Sequence, residues 1–176
     1  DTALTISQHL GLKNSTFDVY RADPTPFKLI FNSLPGVLIV ENLSLWLMTG
    51  VLERFPKLRV VFVEPSFPIF ITWLKMLDHS WSRGRERMYP GVTKPPSETF
   101  RQQVALTFIG ADKDSLDQRH DLGVENIMWS TDFPHPASTW PNSRAVVDEM
   151  MADLPAEERH LIVAGNAARL YGLEAA

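Results

Sequence analysis

Three side chains that can bind a metal or carry a proton, His9, Glu64 and Asp132, each stand at the end of a short apolar segment. Imidazole and carboxylate are ligands of Zn²⁺ and Mn²⁺, and both groups serve as general acids or bases. Because the sequence contains no cysteine, a metal here would be held by histidine, carboxylate and water. The three positions predict a site for metal binding or proton transfer.

Each of these residues also has a structural interpretation. His9 can be a hydrogen-bonded structural histidine, and Glu64, which precedes Pro65, can accept hydrogen bonds from backbone amides. Asp132 can cap the turn that follows it, as aspartate often does before a proline-containing loop. Their shared position at segment ends favours the functional interpretation for all three.

The stretch IMWSTDFPHP adds a second histidine, His135, three residues after Asp132. Pro134 and Pro136 stiffen this loop and keep the imidazole near the carboxylate. His135 is therefore predicted either to act as a general acid or base or to orient Asp132. Arg101 is a candidate contact for an anionic substrate, and a surface arginine is the alternative.

The elements that must position these residues are four predicted β-strands separated by helices. The strands are Ala3–Ser7, Leu58–Val63, Val104–Phe108 and Ile127–Ser130. Alternating strands and helices indicate a parallel α/β sheet, in which functional residues gather at the carboxyl ends of the strands. Asp112, beyond the third strand, is a further carboxylate at that edge.

The predicted helices surround these strands. Apolar residues at helical spacing predict the helices Val37–Arg54 and Pro68–Met88, a short helix Asp114–Leu122, and two terminal helices with Pro141 and Pro155 in their first turns. The proline-rich stretch YPGVTKPPSETF is predicted to be a loop. Four βα units are half of an eight-stranded barrel, whose usual size is ~250 residues. The pattern predicts a fragment of a barrel or a small open sheet.

Composition predicts one globular domain spanning residues 1–176, with 44% hydrophobic and 22% charged residues. The net charge of −4 and the scattered basic residues argue against nucleic-acid and membrane partners. No apolar run approaches the ~20 residues that span a bilayer. The lack of cysteine fits a reducing compartment, so we expect a cytoplasmic protein with a small-molecule substrate.

Four blocks of the sequence resemble the amidohydrolase-related family, the group that includes aminocarboxymuconate-semialdehyde decarboxylase. The blocks are MTGVLERFPKLRVVFVEPSFPIFITWLKMLDHSW, PPSETFRQQVALTF, NIMWSTDFPHPASTWPNSR and ERHLIVAGNAARLYGL. The most specific of them carries the aspartate, aromatic, proline and histidine run that begins at Asp132. The resemblance covers nearly the whole chain.

The resemblance implies a metal-dependent (β/α)₈ barrel that acts as a decarboxylase or hydrolase on small carboxylated or aromatic substrates. The four predicted strands would then be strands five to eight, the C-terminal half of the barrel, and the domain would be truncated on its N-terminal side. His9 and Asp132 would bind a divalent metal, zinc being expected before manganese. Asp132 would also transfer a proton, with His135 or Glu64 as the outer acid or base.

Two departures from the family pattern bear on this interpretation. The strand-one ligands, commonly His-X-His in the family, are absent from this chain, and Glu64 is followed by Pro65 and Ser66 where family members often have glycines. The alternative hypothesis is a catalytically incomplete half-barrel that needs a second chain or self-association. Open strand edges would favour such association, so a homo-oligomer is expected.

Overall fold

The computed structural model describes residues 3–9, 34–110 and 113–173, and these form a four-stranded parallel sheet. The strands are β1 (Thr5–His9), β2 (Arg59–Val63), β3 (Val104–Phe108) and β4 (Ile127–Trp129), and they lie in the order β1-β2-β3-β4. Every neighbouring pair is parallel. The α/β fold with a parallel sheet is therefore confirmed.

Helices connect the strands. They are α1 (Leu34–Met48), α2 (Val51–Arg54), α3 (Phe67–Met88), α4 (Pro96–Gln103), α5 (Lys113–Asp117), α6 (Arg119–Leu122), α7 (Ser143–Met150), α8 (Ala156–His160) and α9 (Asn166–Tyr171). A 3₁₀ turn, Val124–Asn126, leads into β4, and a π turn, Leu161–Gly165, joins α8 to α9. Among the described helices, none is long and apolar enough to cross a bilayer.

The two faces of the sheet are covered differently. On one face, Val60 and Phe62 of β2 and Leu106 of β3 belong to the main apolar core, which is completed by helix residues such as Phe70 and Leu74. The other face carries the small buried cluster Val61, Ala105 and Met128, against which Ala167 and Leu170 of α9 pack. The strands read as continuous apolar runs because both faces of the central strands are buried.

The observed helices differ from the predicted ones in two places. The predicted helix Val37–Arg54 is divided at Gly50, whose φ of 69° lies in the left-handed region. A Cβ at this position would lie 2.5 Å from the carbonyl oxygen of Gly91, so the chain needs glycine here. Helix α4 begins inside the stretch predicted to be a loop and continues past it to Gln103. Pro96 occupies its first turn, and Phe100 is buried against the core.

Smaller shifts occur at other boundaries. Strand β1 begins two residues later than predicted and ends on His9 itself, so His9 belongs to the sheet. The predicted helix Asp114–Leu122 is divided into α5 and α6. Pro155 immediately precedes α8 as expected, whereas Pro141 lies two residues before the start of α7.

Candidate functional site

The carboxyl ends of the strands bring His9, Glu64 and Asp132 to one edge of the sheet. His9 is the last residue of β1 and is paired in register with Val63 of β2, and Glu64 follows directly. The backbone N–H of Glu64 donates to the carbonyl oxygen of Thr107 at 3.1 Å, which fixes this residue against the end of β3. Asp132 follows β4 at the same edge. The placement is a direct consequence of the parallel sheet.

The side chains at this edge form a continuous row of contacts. The Nε2 atom of His9 lies 3.4 Å from a carboxylate oxygen of Glu64, and the Glu64 carboxyl group is hydrogen-bonded to that of Asp132. The Nδ1 atom of His135 lies 3.0 Å from the Oδ2 atom of Asp132. We call His9, Glu64, Asp132 and His135 the carboxyl-edge cluster.

The two carboxylates of the cluster are less exposed than the two histidines. The side chains of Glu64 and Asp132 are 19% and 20% exposed, against 59% for His9 and 64% for His135. The acidic groups therefore lie on the inside of the cluster, and the imidazoles face outward. This arrangement places negative charge where water is partly excluded and proton-carrying groups where a substrate can reach them.

Both acidic residues have an uncommon backbone conformation. The φ angle is 61° at Glu64 and 55° at Asp132, and they are the non-glycine residues with positive φ in the described ranges. Left-handed conformations cost free energy for side chains other than glycine and persist when the surrounding structure enforces them. Such strain is concentrated at functional sites. Here it turns two carboxylates toward each other at the ends of their strands.

The carboxyl group of Glu64 binds its proton more tightly than an ordinary glutamate. Burial is the main cause of its raised pKa, and the negative charge of Asp132 and the hydrogen bond with Asp132 raise it further. The neighbouring His9 and His135 act in the opposite direction. Two carboxylates in contact repel each other when both are ionised, which favours the protonated form of Glu64.

The loop after β4 is closed by its own hydrogen bonds. The hydroxyl of Ser138 donates to the carbonyl oxygen of Thr131 at 2.7 Å, and the N–H of Thr139 donates to the same oxygen at 3.2 Å. The N–H of His135 donates to the carbonyl oxygen of Asp132 at 2.8 Å. These bonds hold the imidazole of His135 beside the Asp132 carboxylate.

The Nδ1 atom of His135 has two partners with opposite requirements. It lies near the carboxylate of Asp132, which needs an N–H donor, and it also receives the N–H of Ala137 at 3.2 Å, which needs a lone pair. One nitrogen cannot satisfy both at once. Gain or loss of the Nδ1 proton therefore changes which neighbour His135 binds, as a proton-transfer group requires.

Other sequence-predicted residues lie elsewhere. Arg101 is on α4, at the amino end of β3, and its guanidinium group contacts the carbonyl oxygen of Asp121 at 3.4 Å. It is thus at the opposite end of the sheet from the carboxyl-edge cluster. Asp112 lies outside the described residues.

The sequence did not predict an aromatic pair that lies beside the carboxyl-edge cluster. Phe133 and Trp140 are each 63% exposed, and their rings meet edge to face with centroids 6.0 Å apart. The stretch FPHPASTWP indicates a proline-rich loop with two aromatic residues. The hydrogen bonds of the folded loop are what bring the two rings together.

The donor set of the cluster suits a divalent cation. Imidazole nitrogen from His9 and carboxylate oxygen from Asp132 are ligands of zinc and manganese, and a cation would relieve the repulsion between Glu64 and Asp132. Within residues 3–9, 34–110 and 113–173, no group of three or more histidine or acidic side chains has the arrangement of a complete metal shell. The described residues therefore do not form a complete metal shell.

Comparison with known proteins places the chain in a family. A family profile described as amidohydrolase matches residues 37–173. The structure of 5-carboxyvanillate decarboxylase from Sphingomonas paucimobilis superposes with a TM-score of 0.72 at 24% identity, covering 98% of this chain and 50% of that one.

Two further solved structures show the same fold. A dihydroxybenzoic acid decarboxylase from Polaromonas sp. JS666, with bound manganese and the inhibitor 2-nitroresorcinol, has a TM-score of 0.72 at 18% identity, covering 99% of this chain and 51% of that one. An amidohydrolase from Mycobacterium avium subsp. paratuberculosis K-10 has a TM-score of 0.75 at 18% identity, covering 96% and 42%. The chain spans about half the length of these structures, and it belongs to the amidohydrolase family.

Proposed function

We propose that this chain is the C-terminal half of a metal-dependent (β/α)₈ barrel enzyme that decarboxylates a small aromatic carboxylic acid. The observation that carries the proposal is the carboxyl-edge cluster, in which two acidic side chains in contact are flanked by two histidines. The similar structures include decarboxylases of 5-carboxyvanillate and dihydroxybenzoic acid, which supports this substrate class.

The metal proposed for this site is divalent, and its ligands in this chain are His9 and Asp132. Manganese is present in three of the similar structures, so we place it beside zinc as the candidate ion. When bound, the ion supplies Lewis acidity that holds a substrate carboxylate or a neighbouring oxygen. The remaining ligands would come from outside the residues that the structure describes.

The residues of the chain itself supply the proton that the reaction requires. Loss of carbon dioxide from an aromatic acid leaves a ring carbon that must gain a proton. Burial and the neighbouring Asp132 raise the pKa of Glu64, so Glu64 would supply a proton to Asp132, which would deliver it to the ring carbon. His135, which contacts Asp132 and is exposed, exchanges that proton with solvent.

Hydrolysis is the alternative reaction, because it needs the same Lewis acid and one proton-transfer group. Decarboxylation and hydrolysis are distinguished by supplying 5-carboxyvanillate and 2,6-dihydroxybenzoate with Mn²⁺ or Zn²⁺ and measuring released carbon dioxide. The proposal expects metal-dependent release that a chelator abolishes. Turnover of esters or amides without carbon dioxide release would support the hydrolase instead.

A second candidate is a half-barrel that is inactive alone and associates with another chain or with itself. The edge strand β1 favours it, because Leu4 and Ile6 beside its open edge are 56% and 39% exposed. Light scattering of the purified chain distinguishes the two states. A stable monomer that remains soluble at high concentration would argue against association.

A further inference from the structure

The amino ends of the strands surround a cavity of about 550 Å³ that the proposed function does not use. Its walls come from the starts of all four strands, from the end of α4 and from α9. It lies at the opposite edge of the sheet from the carboxyl-edge cluster. Its size is that of a small-molecule site.

The charge around this cavity is opposite to that of the whole chain. Four basic side chains line it, and one acidic residue, Glu125, accompanies them; the basic ones are Lys57, Arg59, Arg101 and Arg169. The formal charge of the lining is thus +3, whereas the chain carries −4 at pH 7. Cations gathered around one concave surface produce a positive potential that attracts anions.

The three arginines are held in place without using a carboxylate. Arg59 donates to the carbonyl oxygens of Pro56 and Leu58, and Arg101 contacts that of Asp121. Arg169 donates to the carbonyl oxygen of Glu125 and to the side-chain oxygen of Asn166. Each guanidinium group has five N–H donors, so these bonds orient it and leave donors for a ligand.

Two arginines elsewhere in the described chain are paired with carboxylates. Arg119 forms an ion pair with Glu158 at 2.6 Å, and Arg159 is paired with Asp148. Within the described part of the chain, the three cavity arginines form no ion pair with a carboxylate; they are Arg59, Arg101 and Arg169. The guanidinium charge of Arg59, Arg101 and Arg169 is therefore not neutralised by an ion pair within the residues that the structure describes.

We propose that this cavity binds a small multivalent anion of the carboxylate or phosphate class. Guanidinium groups match the planar, paired oxygens of both classes, and oriented arginines lose little entropy on binding them. This site is separate from the carboxyl-edge cluster and needs no metal. It therefore stands or falls independently of the proposed decarboxylase activity.

The test is a titration of the metal-free protein with sodium phosphate and with sodium citrate, against sodium chloride at equal ionic strength. We expect a saturable rise in Tm of about 3 °C with at least one of the two anions. The same titration followed by NMR should shift the side-chain amide signals of Asn126 and Asn166, which line the cavity. The phosphate and citrate arms distinguish which class is preferred.

Variants locate the effect. Arg101→Gln and Arg169→Gln, both at exposed positions, should weaken anion binding at least tenfold, and Arg101→Lys should recover part of it. Arg87→Gln removes an exposed arginine outside the cavity and should leave binding unchanged. An equal Tm rise in all variants, or unshifted Asn126 and Asn166 signals at saturating anion, would overturn the proposal.

Discussion

The two edges of the same sheet are built from different chemistry. At the carboxyl edge, Glu64 and Asp132 crowd together in strained backbone conformations, and burial with mutual repulsion raises the pKa of Glu64. At the amino edge, buried amide side chains tie the connecting segments together. Gln103 donates to the carbonyl oxygens of Phe55 and Leu58.

Two asparagines form similar hydrogen bonds from side-chain amide to backbone carbonyl along the amino edge. Asn126 donates to the carbonyl oxygens of Arg101 and Leu122, and Asn166 donates to those of Val124 and Ile127. Each buried amide satisfies carbonyl groups that would otherwise lack partners. The strained backbone and the repelling carboxylates of this chain lie at the carboxyl edge, where chemistry is proposed, whereas buried amide donors satisfy carbonyl groups at the amino edge.

Replacement of Asp132 should give the largest functional effect. Asp132→Asn keeps the shape but removes a proposed metal ligand and proton carrier, so we expect activity to fall by about 10²–10⁴-fold. Carbon dioxide release at full metal occupancy measures this, and circular dichroism checks the fold. Asp121→Asn, at an exposed helix position, is the matched control. Unchanged turnover in Asp132→Asn would contradict the assignment.

Replacement of Asn166 should give the largest effect on stability. Its side chain is 2% exposed and bonds two backbone carbonyls at 2.7 and 2.8 Å, so Asn166→Ala leaves both unsatisfied in the core. We expect a loss of about 2–3 kcal/mol in the free energy of unfolding, measured by urea denaturation. Asn142→Ala at an exposed position should cost less than about 0.5 kcal/mol. Equal losses would remove the distinction between the edges.

The pH dependence of stability tests the strained edge. Because folding raises the pKa of Glu64, the folded chain binds this proton more tightly than the unfolded chain does. Stability from this group is present below the unfolded pKa and falls as pH rises through the folded pKa. In the metal-free protein, Glu64→Gln should therefore gain stability relative to the original protein between acidic and neutral pH, by less than the Asn166 effect. A pH-independent difference would contradict the shift.

Metal binding to the isolated chain should give the smallest effect. His9 and Asp132 supply only part of a shell, so zinc or manganese should bind weakly, with His9→Gln weakening it further. Binding should strengthen as pH rises, because the cation competes with protons for its ligands. Titration calorimetry measures both trends. One tightly bound zinc per chain would show that the described residues form a complete site.

The sequence predicted the sheet because local signals and topology agree. Apolar runs identified all four strands, and parallel pairing then carried His9, Glu64 and Asp132 to one edge without further information. Helix α4 was missed because Pro95 and Pro96 are read as loop residues, whereas the chain uses the second proline in a first helical turn. The assignment to strands five to eight stays a prediction.

Other features of the site depend on tertiary structure. The Glu64 and Asp132 carboxyl groups are in contact at two positions with positive φ angles, which are uncommon for residues other than glycine. Arg101 was a candidate contact for an anionic substrate, with a surface arginine as the alternative. The structure places it at the amino end of β3, in the lining of the basic cavity, and a contact with substrate stays a prediction. Whether a residue lies at the candidate site depends on the direction of its side chain and on which end of the strand it occupies. Spacing in the sequence alone does not determine this.

The most direct test of the central claim is an anomalous-scattering map of crystals grown with Mn²⁺, from protein that carries the complete ligand set. We expect one ion at the carboxyl edge, with His9 Nε2 and an Asp132 oxygen about 2.0–2.2 Å away. The Glu64 carboxyl group should lie beside the ion or its ligands. An ion bound elsewhere, with His9 and Asp132 still in contact only with protein atoms, would contradict the proposed metal site.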